Sequence, residues 1–189
     1  MATLLGKNYR FFKSRLELRA PSDDGENVLV LSAASKFSPY ISLAFYFGRH
    51  YAVARPIEKL LEYTRWPYHI QQYSLNRTHM SGLTYSGPYS WSIDITNPME
   101  SLVSEIESAV HGMAEPFFKR FATISAARDA IAADDPWCFA GPIFWRQLLI
   151  LDGAMDDLNH FRKWAVCLDD FNRTQALADL EKLAQRGIS

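Results

Sequence analysis

Trp91-Ser92-Ile93-Asp94-Ile95-Thr96-Asn97-Pro98-Met99-Glu100 opens the stretch that decides the fold, which runs on to Asp135. Trp91, Ile93 and Ile95 alternate with Ser92, Asp94 and Thr96, the two-residue period of a strand with one buried face. Asn97 is suited to cap a helix N-terminus, Pro98 loses no needed donor at the first helical position, and Glu100 stands where a capping-box carboxylate would lie. Met99, Leu102, Val103, Ile106, Val110 and Met113 then recur at three- and four-residue spacings, one apolar stripe on a helix. Pro116 cannot continue the hydrogen-bond ladder, so it is expected to kink this helix or start a new turn, with Phe117, Phe118 and Phe121 packed under the bend. A shorter Ala-rich helix follows from Ile124-Ser125 and ends at Asp134-Asp135-Pro136.

Toward the N-terminus the pattern is that of strands. From Tyr9 to Arg19 the alternation changes register at Phe11-Phe12, and a bulge there reconciles the two halves. Pro21-Ser22-Asp23-Asp24-Gly25 is a turn, and Val28 to Ala33 a second strand, which together predict a hairpin with a loop of moderate length. Ser38-Pro39 punctuates before a third strand, Tyr40 to Phe47, whose outer face (Tyr40, Ser42, Ala44, Tyr46) is half apolar. Arg55-Pro56 starts a short helix carrying Ile57, Leu60 and Leu61; Tyr68 to Leu75 and Tyr89 to Thr96 supply the fourth and fifth strands. Between them, residues 76–90 are rich in Tyr, Ser and Gly, the composition of a binding loop.

Beyond Pro136 the periodicity is helical to the end. Pro142 to Asp152 is almost wholly apolar and reads as a buried helix closed by Gly153. Ala154, Leu158, Phe161, Ala165 and Leu168 predict one further amphipathic helix, and Thr174 caps a last one bearing Leu177, Leu180 and Leu183, closed by Gly187.

At 189 residues, 48% hydrophobic and 14% aromatic, the chain can fill one sizeable core, expected as a single globular domain over 1–189 with sheet in 8–96 and helices in 97–187. A formal charge of -1 gives no general attraction to duplex DNA or an anionic membrane. Cys138 and Cys167 show no paired spacing and read as free thiols in a reducing compartment. The first residues lack the apolar core of a signal peptide, and no apolar run approaches the roughly 20 residues of a membrane-spanning helix, so a cytoplasmic location is expected. The Asn-x-Thr matches at Asn76 and Asn172 are then coincidental.

Phosphate-binding glycine loops, the Gly-x-Ser-x-Gly elbow, His-Glu-x-x-His and Cys-x-x-Cys are all absent from the sequence. The best candidate for site chemistry is Asp152, Asp156, Asp157 and His160, since Asp157-x-x-His160 has the carboxylate–imidazole spacing of metal sites in helical bundles. With Gly153 read as a break and His160 on the polar side of the Leu158–Phe161 stripe, a solvated acidic face is the preferred reading. His50, His69, His79 and His111 are scattered, and Cys138 between Trp137 and Phe139 reads as a small buried side chain. Arg10, Lys13, Arg15 and Arg19 interleave with Tyr9, Phe11 and Phe12, the one basic–aromatic cluster, but without the overall basic charge of nucleic-acid binders.

The expectation is therefore an α+β fold, a mainly antiparallel sheet of about five strands in the N-terminal half packed against a helical C-terminal half. The expected role is non-catalytic binding of one protein partner by surface complementarity, without cofactor or metal, with nucleic acid disfavoured and no membrane. The alternative is an enzyme or sensor with an aromatic-lined small-molecule pocket between sheet and helices. The residues singled out for ligand or partner contact are Tyr46, Tyr68, His79, Tyr85, Tyr89 and Trp91.

Overall fold

The computed structural model describes residues 9–13, 16–37, 40–63, 68–73, 90–94, 104, 107–108 and 110–188, with the backbone alone at 31–37, 40–45, 72–73 and 90–94. Among them six strands and six α-helices make an α+β fold, the strands in the N-terminal half and the helices mostly in the C-terminal half. Strands β1 (Arg10–Phe12), β2 (Glu17–Ser22), β3 (Gly25–Phe37), β4 (Tyr40–Tyr51) and β5 (Ile70–Tyr73) lie side by side in that order, and β6 (Ser90–Asp94) also pairs with β4. The β1–β2, β2–β3 and β4–β6 pairings are antiparallel.

The chain forms two compact units, each assembled from two separated stretches: 1–48 with 72–120, and 49–71 with 121–189. In the first unit, the change of alternation near Phe11-Phe12 is a chain reversal and not a bulge. Arg10 pairs with Arg19 and Phe12 with Glu17, and the chain turns between Lys13 and Leu16, where Leu16 takes a left-handed φ of 51°. The β2–β3 hairpin is tighter than expected, with Ser22 opposite Gly25 and only Asp23-Asp24 between them. Leu18, Val28, Leu29 and Val30 are buried on these strands, as are Phe47 of β4 and Phe117 of α2 (Glu115–Arg120), whose rings meet edge to face at 4.9 Å.

The expected cap at Asn97, Pro98 and Glu100 lies outside the described residues, as does most of the Met99–Met113 stripe. Ser104, Glu107 and Ser108 are helical, and a π-turn at Val110–Ala114 leads into α2. That wider turn falls just ahead of Pro116, which has no N–H to donate back. Phe117, Phe118 and Phe121 are all buried, as the bend at Pro116 required.

The second unit is built on helices. They are α1 (Arg55–Leu60), α3 (Ile124–Ala132), α4 (Trp145–Ala154), α5 (Leu158–Trp164) and α6 (Asp170–Ala184). The apolar run after Pro142 places α4 at the centre: Trp145 and every residue from Gln147 to Gly153 are buried, and α1, α3, α5 and α6 all pack against it. Gly153 therefore does not break the helix. It lies inside α4 where its neighbours pack closely, a Cβ there falling 3.0 Å from Ile57 Cγ2 and 3.2 Å from Leu183 Cδ1, so that either would have to shift to admit one.

Two further expectations are corrected. The helix foreseen from Ala154 to Leu168 is interrupted at Asp156, whose φ is 56°, and restarts as α5 with Asp157 as its cap. The last helix starts one turn before Thr174: the Asp169 carboxylate accepts from Asn172 N–H at 2.9 Å, and the Thr174 hydroxyl donates to Asp170 O inside the helix.

Gly153→Ala is expected to destabilise the protein by about 1–3 kcal/mol, because Ile57 and Leu183 are themselves buried and cannot yield freely. Gly112→Ala, with nothing within 4 Å of its Cβ position, is the control and is expected to be neutral or stabilising. Urea unfolding of both variants checks the pair.

Candidate functional site

The helical unit carries its most unusual chemistry where α4 gives way to α5. Asp152 follows Leu148-Leu149-Ile150-Leu151 and shares their environment, with 0% of its surface exposed. The chain then reverses tightly. Asp157 N–H donates back to Asp152 O at 3.0 Å, and the Asp157 carboxylate accepts from His160 N–H at 3.2 Å. With Leu158 and Phe161 both buried, the first turn of α5 is oriented so that the His160 ring returns to α4. Its Nδ1 lies 2.8 Å from Asp152 Oδ2 and 3.0 Å from Oδ1.

The carboxylate accepts, so the proton between them belongs to Nδ1 while Asp152 is ionised. Nε2 makes no hydrogen bond with any described residue, and the imidazole is 33% exposed. Arg128 of α3 completes the cluster: Nη1 is 3.3 Å from Asp157 Oδ2, and Nε is 3.0 Å from Asp129 Oδ1 and 3.9 Å from Asp152 Oδ1. Burial pushes the Asp152 carboxyl up to about 6; His160 and Arg128 pull it the other way, and the Asp157 charge adds a smaller upward push.

This arrangement replaces the solvated acidic face expected for Asp152, Asp156, Asp157 and His160. His160 does not sit on the polar side of one long helix, because there are two helices and the turn at Asp156 folds one onto the other. Among the described residues no group of three or more His, Cys, Asp or Glu side chains is placed to hold a metal ion. The arrangement orients an imidazole: one nitrogen is held by a buried carboxylate and the other bonds none of the described residues.

The residues singled out from the sequence fall elsewhere. Tyr46 is half-buried on β4 in the first unit, and Trp91 stands opposite Leu43 in the β4–β6 pairing. Tyr68 belongs to the second unit and is 2% exposed, its ring 5.3 Å from that of His50. His79, Tyr85 and Tyr89 lie outside the described residues, as does most of the 76–90 loop.

Two of the scattered histidines are brought together. His50 and His69 are both buried with ring centres 5.3 Å apart, and His69 Nδ1 accepts from Tyr51 N–H at 2.8 Å. A neutral His69 must then carry its proton on Nε2, which faces Glu58 Oε2 at 3.5 Å. His111 is exposed and pairs with Glu115 at 3.0 Å. Cys138 is buried, with its thiol 3.6 Å from Asp135 O, and Cys167 is exposed; neither is in a disulfide.

The basic–aromatic cluster closes on itself. Arg19 bonds Glu17 at 2.7 Å and Glu26 at 3.3 Å and lies 5.0 Å over the Phe12 ring, with Arg10 at 5.1 Å from the same ring. Glu17 is 5% exposed and is neutralised by that guanidinium. No helix among the described residues is long and apolar enough to cross a membrane. Comparison of the chain with protein families, with curated proteins and with solved structures returned no match.

His160→Ala leaves the buried Asp152 carboxylate without its closest donor. A loss of about 2–3 kcal/mol at pH 7.5 is expected. Asp152→Asn in the same chain removes the stranded charge, and denaturant unfolding should show part of that loss recovered.

Proposed function

We propose that this protein acts without catalysis of its own, by binding one protein partner through surface complementarity. The observation that carries the reading is a set of large apolar side chains left in solvent on the helical unit: Ile143 is 78% exposed, Phe171 72% and Val166 71%. Their segments are tied together. The Trp145 indole donates to Asn172 Oδ1 at 3.1 Å, Arg146 to Gln175 Oε1 at 2.7 Å, and Arg173 to Val166 O at 2.9 Å. Side chains of this size gain about 1.5–3 kcal/mol each when buried, so holding them outward on a braced framework suits a partner that covers them.

The engagement of Arg19 by Glu17, Glu26 and Phe12 supports leaving nucleic acid aside. The reading includes a cytoplasmic location, supported by the two free thiols. It also treats the Asn172 glycosylation match as coincidental: the Asn172 amide donates to Asp169 at 2.7 Å while accepting from Trp145. An enzyme or sensor is the second reading, and the oriented imidazole of His160 is what favours it, being the form a general base takes.

Ile143→Ser, Val166→Ser and Phe171→Ser combined are expected to leave thermal stability nearly unchanged, as exposed substitutions do. The wild type, cross-linked in native lysate, is expected to capture one partner at near-equal stoichiometry, and the triple variant to lose it. A wild type that captures no stoichiometric partner, or a variant that captures it undiminished, overturns the binding reading. Turnover of small esters or phosphoesters that disappears in His160→Ala would favour the second.

A further inference from the structure

We propose that Asp152 and His160 form a proton-operated latch on the turn between α4 and α5. The closed latch holds a proton that the opened latch releases, so α5 is bound more firmly in mild acid than at neutral pH.

The geometry that carries this is local. Asp152 is wholly buried on the central helix, and His160, its closest donor at 2.8 Å, is one-third exposed on the first turn of a seven-residue helix. Water therefore reaches one member of the pair and not the other while the latch is closed. Opening the turn exposes the carboxylate and returns it to an ordinary acidity.

The charged groups facing Asp152 are few. From α3 comes Arg128, 3.9 Å away and already shared with Asp157 and Asp129. From the turn comes Asp157, and from α5 His160 itself. Helices α1 and α6 also pack on α4 but meet its end through Ile57 and Leu183 at Gly153, which are apolar. With one partial cation and one imidazole to balance it, an ionised Asp152 is held less firmly in the closed turn than a protonated one. Its carboxyl, raised to about 6 from 3.8, sets the sign: the stabilisation is fully present below the open-state value and is lost as pH rises through about 6.

The hinge is present as well. Asp156 holds a left-handed φ of 56°, and Met155 and Asp157 close short turns onto Asp152 O. Asp tolerates such an angle better than most side chains, though at some cost. The bond from His160 to Asp152 joins the segments on either side of that residue.

Hydrogen exchange of the backbone from 155 to 165, normalised at each pH to the unfolded chain, tests this. Protection is expected to rise by roughly tenfold from pH 7.5 to pH 5.0 in the wild type. It should be flat over that range in Asp152→Asn, while the Ile124–Ala132 helix shows no such dependence in either chain. Flat protection in the wild type, or an equal rise in Asp152→Asn, overturns the latch. If Asp152→Asn fails to fold, carbon-detected titration of the wild type decides. An Asp152 carboxyl that titrates near 6 supports the latch, and one that titrates near 4 overturns it.

Discussion

Burial of one helix along nearly its whole length is the constraint on which the C-terminal half depends. From Gln147 to Gly153 every residue of α4 is buried, so every neighbour must present an apolar surface to it or a polar group that matches what it carries. Where α4 is hydrocarbon, α1, α3, α5 and α6 answer with Ile57, Ile131, Phe161 and Leu183. At its end it carries a glycine and a carboxylate. The glycine admits two side chains more closely than most Cβ atoms would, and the carboxylate is met by an imidazole that α5 points backward. Burying a charge in this way is costly unless it is bonded, which is why three separate segments converge on so small a volume.

Local pattern made much of this legible in advance. The short helix at Arg55-Pro56, the helix begun at Ile124, the turn at Asp23-Asp24 and the burial of α4 all follow from residues within a few positions of one another. The misreadings share a cause: a local signal with two structural meanings. A change in alternation parity at Phe11-Phe12 is the same whether the strand bulges or the chain turns back, and Lys13 to Leu16 lacks the Gly, Asn or Pro that would have marked a turn. Gly153, after an apolar run, reads as a terminator; its role is set by Ile57 and Leu183, which are remote in sequence.

The same holds for the chemistry. Asp152, Asp157 and His160 were visible as a group, but an eight-residue interval through an unbroken helix and one through a reversed turn imply different faces. The deciding residue was Asp156, and nothing in its neighbours announces a positive φ; Asp merely tolerates one better than most. His50 and His69 show the opposite limit. Their meeting depends on β4 running on past Phe47 to Tyr51, four residues beyond where alternation alone would end it.

The interleaving of the two units has a further consequence, for the order in which the polypeptide can complete itself. The segment from Arg49 to Gln71 emerges early, yet its polar groups find partners only much later in the chain. Arg49 donates to Ala122 O, the Tyr51 hydroxyl to Phe121 O, and the Tyr63 hydroxyl to Asp179. During synthesis a buried histidine pair, a tyrosine and the first short helix must wait while some fifty intervening residues are laid down. The helical unit is thus complete only once its last helix has been made, and every contiguous fragment that contains it whole also carries residues 72–120.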